Sequence, residues 1–283
     1  MATKIITHGG GFHSDEIFAI ALIKEHFDTD IEVVRTRDKT YLKEVLECKD
    51  TWVIDVGGEF DSEKKNFDHH QNTFNDKWLA SDILYSSCGL VWMYLKNNGY
   101  LSKTLSPYQI NEFEEKLIKR IDLHDNGAGK WQPSLVFKLY NRESNTLENF
   151  MEAVNIAVKY IQNSAYHFKT EEENLSSLYD HTYLDSGKIA IITNGAFNVM
   201  PSVVKNTPSQ VAIEYKEDEG TWSVQCVRRW VSAPEAWRGL SGSELEVVSG
   251  IKGMIFTHRA GHLVKVSNKE SAIAVARSIL SNI

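Results

Sequence analysis

Asp68, His69 and His70 stand in a row, and side chains of these two types bind metal ions or transfer protons. Alone, the triplet is a weak signal, because Asp-His-His also occurs in solvated loops where a histidine only bonds a carbonyl. Residues of the same chemistry recur at the ends of predicted strands and helices, namely His8, His13, Asp15, Asp55, Asp122 and Asp125. We therefore predict one site to which several of these segments contribute.

Strands and helices alternate in the part of the chain that carries most of these residues. Apolar and β-branched runs predict strands at 4–7, 31–36 and 51–56, and helical patterns predict helices at 17–27, with Ser14 as N-cap, and 39–47. Such alternation is typical of a parallel sheet. Ligands of these sheets bind beyond the carboxyl ends of the strands, so residues that follow the first and third strands should share one crevice.

The rest of the chain predicts a helical segment and then a second domain. Helical patterns cover 82–97, 106–123 and 147–179, the last polar in its later half, and strands are expected at 188–193, 211–215, 221–228 and 253–258 before a helix at 269–280. We predict an α/β protein with a parallel-sheet catalytic domain, 1–184, that includes a linker helix at about 147–182. A smaller α/β substrate-binding domain, 185–283, follows it.

The carboxylates predict bound cations. Four or five carboxylates in one crevice raise one another's pKa unless cations neutralise them, and histidine and aspartate without cysteine favour Mn²⁺ or Mg²⁺ over structural zinc. The candidate ligands exceed what one ion needs, so two ions about 3.5–4 Å apart are expected.

Each residue alone has a simpler explanation: Asp15 as a helix-terminus charge, and Asp122 or Asp125 as a partner of Lys119 or Arg120. The three glycines after His8 lack the Lys-Ser/Thr of a phosphate-binding loop.

The composition is that of an acidic globular protein. The 283 residues carry a net charge of −7, which argues against wrapping of long nucleic acid but leaves a nuclease open, since bound cations reverse the charge locally. No apolar run is long enough to predict a membrane span. The first residues lack a signal-peptide region and the three cysteines are far apart, so a cytoplasmic protein is expected.

Several stretches resemble the melanocyte-proliferating-gene family of the DHH phosphoesterase superfamily. They are Thr7-His8-Gly9, Phe12-His13-Ser14-Asp15-Glu16, Val56-Gly57-Gly58, Phe67-Asp68-His69-His70-Gln71, Asp125-Asn126-Gly127 and Pro234-Glu235-Ala236-Trp237-Arg238-Gly239-Leu240. The resemblance spans nearly the whole chain. It implies a two-lobed α/β hydrolase with its active site between the lobes, Mn²⁺-type ions, and 3′–5′ exonuclease activity on RNA.

The resemblance also implies roles for individual residues. The metal shell would be His8, His13, Asp15, Asp55, His69 and either Asp122 or Asp125. Our own hypothesis for the catalytic residues is Asp68, His69 and His70, with His70 in a supporting or substrate-facing role because it cannot easily point the same way as His69. The superfamily usually has aspartate where this chain has His13, which keeps a ligand but removes a negative charge.

The second domain offers candidate substrate ligands. His258, Arg259 and His262 lie on a turn with fewer glycines than the family's, and Arg228 and Arg229 are further candidates, because guanidinium binds two phosphate oxygens at once. The alternative for Arg228 and Arg229 is a strand end that faces solvent. Bases would stack on tryptophan, with the protein core as the alternative for each: Trp131, Trp222, Trp230 and Trp237.

The functional hypothesis is a phosphoesterase in which two metal ions activate a water to attack RNA or a short oligonucleotide. A first alternative is a hydrolase of pyrophosphate or small nucleotide phosphoesters, which uses the same metal chemistry and suits the acidic charge. A second is a metal-binding regulatory protein without turnover. The sequence is compatible with a homo-oligomer, and it leaves open the metal, the polarity of cleavage and the choice between Asp122 and Asp125.

Overall fold

The chain divides into two compact units. The computed structural model describes residues 2–79, 81–138, 140–141, 146–193 and 199–283, without the side chains of Leu135 and Lys138. The first unit is Met1–Lys169 and the second is Thr170–Ile283. This division falls within a long helix, Leu147–Ser176, whereas we had predicted a boundary at residue 185, beyond the helix.

A five-stranded sheet in the order β2-β1-β3-β5-β4 forms the centre of the first unit. The strands are β1 (Thr3–Thr7), β2 (Ile31–Arg35), β3 (Thr51–Ile54), β4 (Phe60–Asp61) and β5 (Asn66–Phe67). β2, β1, β3 and β5 are mutually parallel, and β4 pairs antiparallel with β5. The predicted parallel sheet is therefore confirmed, with β4 and β5 as short additions.

Helices cover this sheet. They are α1 (Ser14–His26), α2 (Lys39–Val45), α3 (Ser87–Asn97), α4 (Pro107–Phe113), α5 (Lys119–Asp125), α6 (Ser134–Lys138) and α7 (Leu147–Ser176), with a π-helical turn, Glu114–Ile118, joining α4 to α5. Every residue of α1 from Ser14 to Ile23 is buried, as predicted for an apolar helix, although its N-cap is His13 and not Ser14. α7 buries residues at helical spacing, which are Phe150, Ala153, Val154, Ala157 and Ile161.

α3 begins five residues later than predicted. The Ser86 side chain accepts a hydrogen bond from the Cys88 N–H and caps the helix there. The Tyr85 N–H instead donates to the Asp76 carbonyl, at 3.0 Å. Residues 82–86 therefore belong to the loop before the helix, where their apolar side chains had suggested a first helical turn.

A six-stranded sheet in the order β10-β11-β9-β8-β7-β6 forms the second unit, so both units are mixed α/β. The strands are β6 (Thr182–Leu184), β7 (Ile189–Ile192), β8 (Val211–Lys216), β9 (Thr221–Cys226), β10 (Met254–Thr257) and β11 (Leu263–Val266), and the helices are α8 (Met200–Asn206), α9 (Gly242–Ser249) and α10 (Lys269–Ser281). The predicted hairpin, β8 with β9, is confirmed. In the described part of the chain, no helix combines the length and apolarity needed to cross a membrane.

Candidate metal centre

The loop between β1 and α1 is fixed by contacts from distant parts of the chain. The Arg35 guanidinium lies 4.5 Å from the ring centre of Phe12 and 4.4 Å from that of Phe150, and it donates to the Gly10 carbonyl at 3.0 Å. The Phe12 N–H donates to Asn141 Oδ1 at 2.7 Å. These contacts hold the loop that carries the first two candidate histidines.

Asp55 follows β3 in the left-handed backbone conformation, with φ of 58°. Residues other than glycine adopt this region infrequently, and such residues often mark functional sites. The Asp55 N–H donates to the Phe67 carbonyl at 3.1 Å, and the Ser87 hydroxyl donates to Asp55 Oδ1 at 3.1 Å. The backbone and the side chain of Asp55 are therefore both held in place.

One group of ligand atoms surrounds His8. Its Nε2 lies 3.3 Å from Glu16 Oε1 and 3.4 Å from Asp55 Oδ2. His8, His13, Glu16 and Asp55 each place a ligand atom within 4.8 Å of those of the other three. His8 Nδ1 lies 3.2 Å from the Gly9 carbonyl, an arrangement common where the other ring nitrogen binds a metal ion.

A second group surrounds His69. Its Nε2 lies 3.2 Å from Asp125 Oδ2, 3.5 Å from Asp55 Oδ1 and 3.9 Å from Asp15 Oδ2. Asp55 thus faces His8 with one carboxylate oxygen and His69 with the other. A carboxylate shared in this way is suited to bridge two cations.

Several buried atoms of these groups lack hydrogen-bond partners among the described residues. They are both carboxylate oxygens of Asp15, Glu16 Oε2, His8 Nε2 and His69 Nε2. Burial of a carboxylate without donors costs several kcal/mol, roughly, unless a cation compensates it. The donor set of carboxylate oxygens and imidazole nitrogens fits hard or borderline divalent ions, so these residues fit a metal centre.

The close approach of these groups shifts their pKa values in the metal-free chain. Burial disfavours the charged forms of His8 and His69, but the adjacent carboxylates outweigh it and raise the pKa of each to about 10. Burial and the neighbouring Asp55 raise the pKa of Asp15 well above its ordinary value. For Asp55 the approach of His69 and His8 outweighs burial and lowers the pKa.

Binding of divalent ions is expected to strengthen as the pH rises. Both histidines are protonated at neutral pH, and each must lose its proton to become a ligand, so each displaced proton contributes about a tenfold gain in affinity per pH unit below pH 10. Titration calorimetry with Mn²⁺ in buffers of different ionisation enthalpy would count the protons released. An affinity that does not change with pH would contradict this assignment of the ligands.

Asp68 and His70 flank His69 in the chain and have different roles. Asp68 Oδ1 lies 2.7 Å from His70 Nδ1, and Asp68 Oδ2 accepts the Gly58 N–H at 2.6 Å. Asp68 is buried and belongs to no group of candidate ligand atoms, whereas the His70 side chain is 60% exposed and places a ligand atom within 4.8 Å of those of Asp55 and His69. Asp68 therefore orients His70, whose pKa it raises, and His70 faces solvent beside the metal groups.

Asp122 and Asp125 have different surroundings in the structure. The Asp122 carboxylate accepts hydrogen bonds from Trp78 Nε1 at 2.6 Å, from the Ser86 hydroxyl at 2.6 Å and from the Gly89 N–H at 3.1 Å. Gly89 permits this approach, because a Cβ there would lie 2.1 Å from Asp122 Oδ2. Asp122 joins the helices of the core, and Asp125, one helical turn later, reaches His69. These contacts favour Asp125 over Asp122 as the candidate ligand.

A cavity of about 270 Å³ adjoins the candidate centre. Its walls include His13 and Asp125, together with Phe12, Ser14, His124 and Ser134. Larger cavities occur elsewhere in the described residues, but this one borders the ligand atoms. It offers space beside the metal groups for part of a substrate.

The model of a family described as "Uncharacterised protein family (UPF0160)" matches residues 4–280. The chain belongs to this family. Its relatives include MYG1 exonuclease of Homo sapiens, 28% identical over 98% of this chain and 86% of the relative, and the MYG1 proteins of Caenorhabditis elegans (28%, 99% and 96%) and Chlamydia pneumoniae (28%, 99% and 97%). The predicted membership of the melanocyte-proliferating-gene (MYG1) family is confirmed.

One solved structure also aligns with this MYG1-family chain. It is a pGpG-specific phosphodiesterase, PggH, from Vibrio cholerae, which aligns over 99% of this chain and 98% of its own. The sequence identity is 13% and the TM-score is 0.33. This likeness is too weak to support a statement about fold or function.

Glu16 also belongs to the candidate metal centre of this MYG1-family chain, although we did not predict it as a ligand. Its Oε1 accepts the His13 N–H at 2.8 Å and lies beside His8. From the sequence we named Glu16 only within the stretch Phe12-His13-Ser14-Asp15-Glu16 and gave it no role. The signal was present, because Glu16 directly follows Asp15 in a helix that proved buried all round, where an unpaired carboxylate is costly.

The candidates of the second unit have two kinds of environment. His258, Arg259 and His262 lie together on the turn between β10 and β11, where the two histidine rings are 4.1 Å apart, and Arg259 and His262 are exposed. The Arg228 guanidinium instead donates to the backbone carbonyls of Ser209 and Thr207, at 2.9 and 2.6 Å. Arg228 therefore has a structural role, which corrects its prediction as a phosphate ligand.

The four tryptophans proposed for base stacking differ in how exposed they are. Trp131 and Trp237 are each 5% exposed and belong to hydrophobic cores, so for these two the alternative of core packing holds. Trp222 is partly buried against Tyr215. Trp230 is 69% exposed, and like the exposed Arg229 it stays a predicted substrate contact.

Proposed function

We propose that this chain is a divalent-metal-dependent phosphodiesterase of the DHH superfamily that shortens RNA or short oligonucleotides from the 3′ end, with Mn²⁺ as its ion. The observation that carries the proposal is the Asp55 carboxylate, whose Oδ2 faces the buried Nε2 of His8 and whose Oδ1 faces the buried Nε2 of His69. Paired divalent ions are typical of enzymes that transfer phosphoryl groups. Relatives that bear the name MYG1 exonuclease support the same class of reaction.

The chain's residues would share the work as follows. His8, His13 and Asp55, with Glu16 beside them, would hold one ion, and Asp15, Asp55, His69 and Asp125 would hold the other. Bound ions would neutralise charge on the phosphodiester and lower the pKa of a water. His13 and His70 are the exposed members of the ligand groups, so substrate would approach from the side of these two rings.

His70 is the residue that we propose to move a proton. Its Nδ1 is held by Asp68, which leaves Nε2 for the substrate. The contact with Asp68 raises the pKa of His70 and so favours the protonated ring. A protonated ring in this position would donate to the leaving oxygen or bind a phosphate oxygen.

The test compares three substrates with and without Mn²⁺: a 5′-labelled RNA, bis-p-nitrophenyl phosphate and pyrophosphate. The proposal expects a Mn²⁺-dependent ladder that shortens from the 3′ end. Hydrolysis of pyrophosphate without RNA cleavage would support the small-phosphate alternative. Mn²⁺ binding without turnover of any of the three would support a regulatory metal-binding protein.

A further inference from the structure

A groove with a basic rim lies on the first unit, outside the candidate metal centre. Its volume is about 530 Å³, within the range of small-molecule sites. Arg37, Lys39 and Lys43 supply its charged side chains, and Leu42, Leu46 and Val56 line its apolar part. The groove thus combines cations with an apolar floor.

The groove adjoins the candidate metal centre at two points of the chain. Arg37 Nε donates to the Gly9 carbonyl at 2.8 Å, and Arg37 Nη2 lies 3.1 Å from His8 Nδ1. Val56, in the wall of the groove, directly follows Asp55. A molecule in the groove would therefore lie beside one that is held at the centre.

The charge of the groove contrasts with that of the chain, which has a net charge of −7. All three charged residues that line the groove are cations. Lys39 and Lys43 are exposed and have no ion-pair partner among the residues that the structure describes.

Two acidic side chains close to the groove in sequence are already engaged. Asp38 Oδ1 accepts the N–H groups of Thr40 and Tyr41 and caps α2, and Glu47 pairs with Lys64 at 3.1 Å. They leave the lysines of the groove available to an anion.

We propose that this groove binds the nucleotides adjacent to the phosphodiester that is cleaved, in a single-stranded RNA. Lys39, Lys43 and Arg37 would contact backbone phosphates, and the leucines and Val56 would contact a sugar or base. Cations that follow a strand beside apolar surface are typical of single-strand binding. The inference rests on the proposed function, because it places the groove next to the reacting phosphate.

The test is the double variant Lys39→Gln/Lys43→Gln, with Lys49→Gln/Lys103→Gln as a control that removes two exposed lysines outside the groove. Fluorescence anisotropy with a short labelled RNA in EDTA measures binding without cleavage. The slope of log affinity against log salt should fall by about 1.4 in the groove variant, since each phosphate contact on a single strand contributes about 0.7. The control should keep the wild-type slope.

Hydrolysis provides a separate readout. With Mn²⁺, kcat/KM of the groove variant should fall about tenfold further for RNA than for bis-p-nitrophenyl phosphate, which has no neighbouring nucleotides. An unchanged salt slope, or an equal loss in the control, would overturn the groove proposal. Inorganic polyphosphate that competes as strongly as RNA would overturn the nucleotide assignment. Failure of the wild type to hydrolyse any phosphodiester would instead contradict the proposed function, because the binding assay in EDTA needs no activity.

Discussion

Asp55→Asn is expected to abolish binding at both metal positions and to lower the rate of phosphodiester hydrolysis by about a thousandfold or more. Metal ions contribute several kcal/mol of charge stabilisation to the transition state, and each 1.36 kcal/mol corresponds to a tenfold change in rate. Asn keeps the size of the side chain and tolerates the left-handed backbone of residue 55. Its carbonyl oxygen can still accept from Ser87. The loss should therefore come from the missing charge and not from misfolding.

The chain offers a matched control in Asp185. This residue also has a left-handed backbone, with φ of 50°, but it pairs with Arg277 on the second unit. Asp185→Asn should keep wild-type metal content and hydrolysis. Mass spectrometry of bound metal, hydrolysis of bis-p-nitrophenyl phosphate and thermal unfolding would be measured on both variants. Wild-type metal content in Asp55→Asn would show that Asp55 is not the shared ligand.

Asp122 and Asp125 are expected to respond to substitution in opposite ways. Asp122→Ala should lower the free energy of unfolding by about 3–5 kcal/mol, because it leaves buried N–H and O–H groups of Trp78, Ser86 and Gly89 without an acceptor. Asp125→Ala should lower it much less in the metal-free protein, because the lost contact with His69 is offset by relief of the repulsion between Asp125 and Asp15. Urea unfolding in EDTA gives both values.

Metal binding completes this comparison. Asp125→Ala should lose one Mn²⁺ equivalent and most activity, whereas folded Asp122→Ala should still bind Mn²⁺. The two residues are one helical turn apart and undergo the same chemical change, so each is the control for the other. A stable Asp122→Ala protein that fails to bind Mn²⁺ would return Asp122 to the list of ligands.

Much of the site could be predicted from the chain, because its ligands follow parallel strands. Residues after β1 and β3 converge wherever a parallel sheet forms, so His8 and Asp55 are brought together by the strand order alone. The choice between Asp122 and Asp125 could not be predicted. It depends on which carboxylate meets Trp78, a residue 44 positions away in the chain.

The errors of fold prediction have similar causes. β4 and β5 have two residues each, too few to show alternation, and they form because β5 pairs with β3. The start of α3 depends on the Tyr85 N–H pairing outside the helix. The sequence left Trp131 and Trp237 open between stacking and the core, because aromatic residues serve cores and binding sites alike and only their burial distinguishes the two.

The contacts of Phe12 determine when the metal loop, which is the loop between β1 and α1, can reach its final position during synthesis. Phe12 bonds Asn141, 129 positions later, and packs with Arg35 against Phe150. Asp125 is also required before the ligands around His69 are complete. A ribosome adds about 5–20 residues per second, so the first histidines wait on the order of ten seconds for their partners. The nascent chain therefore exposes an incomplete metal loop, and the centre matures only when the beginning of α7 has been made.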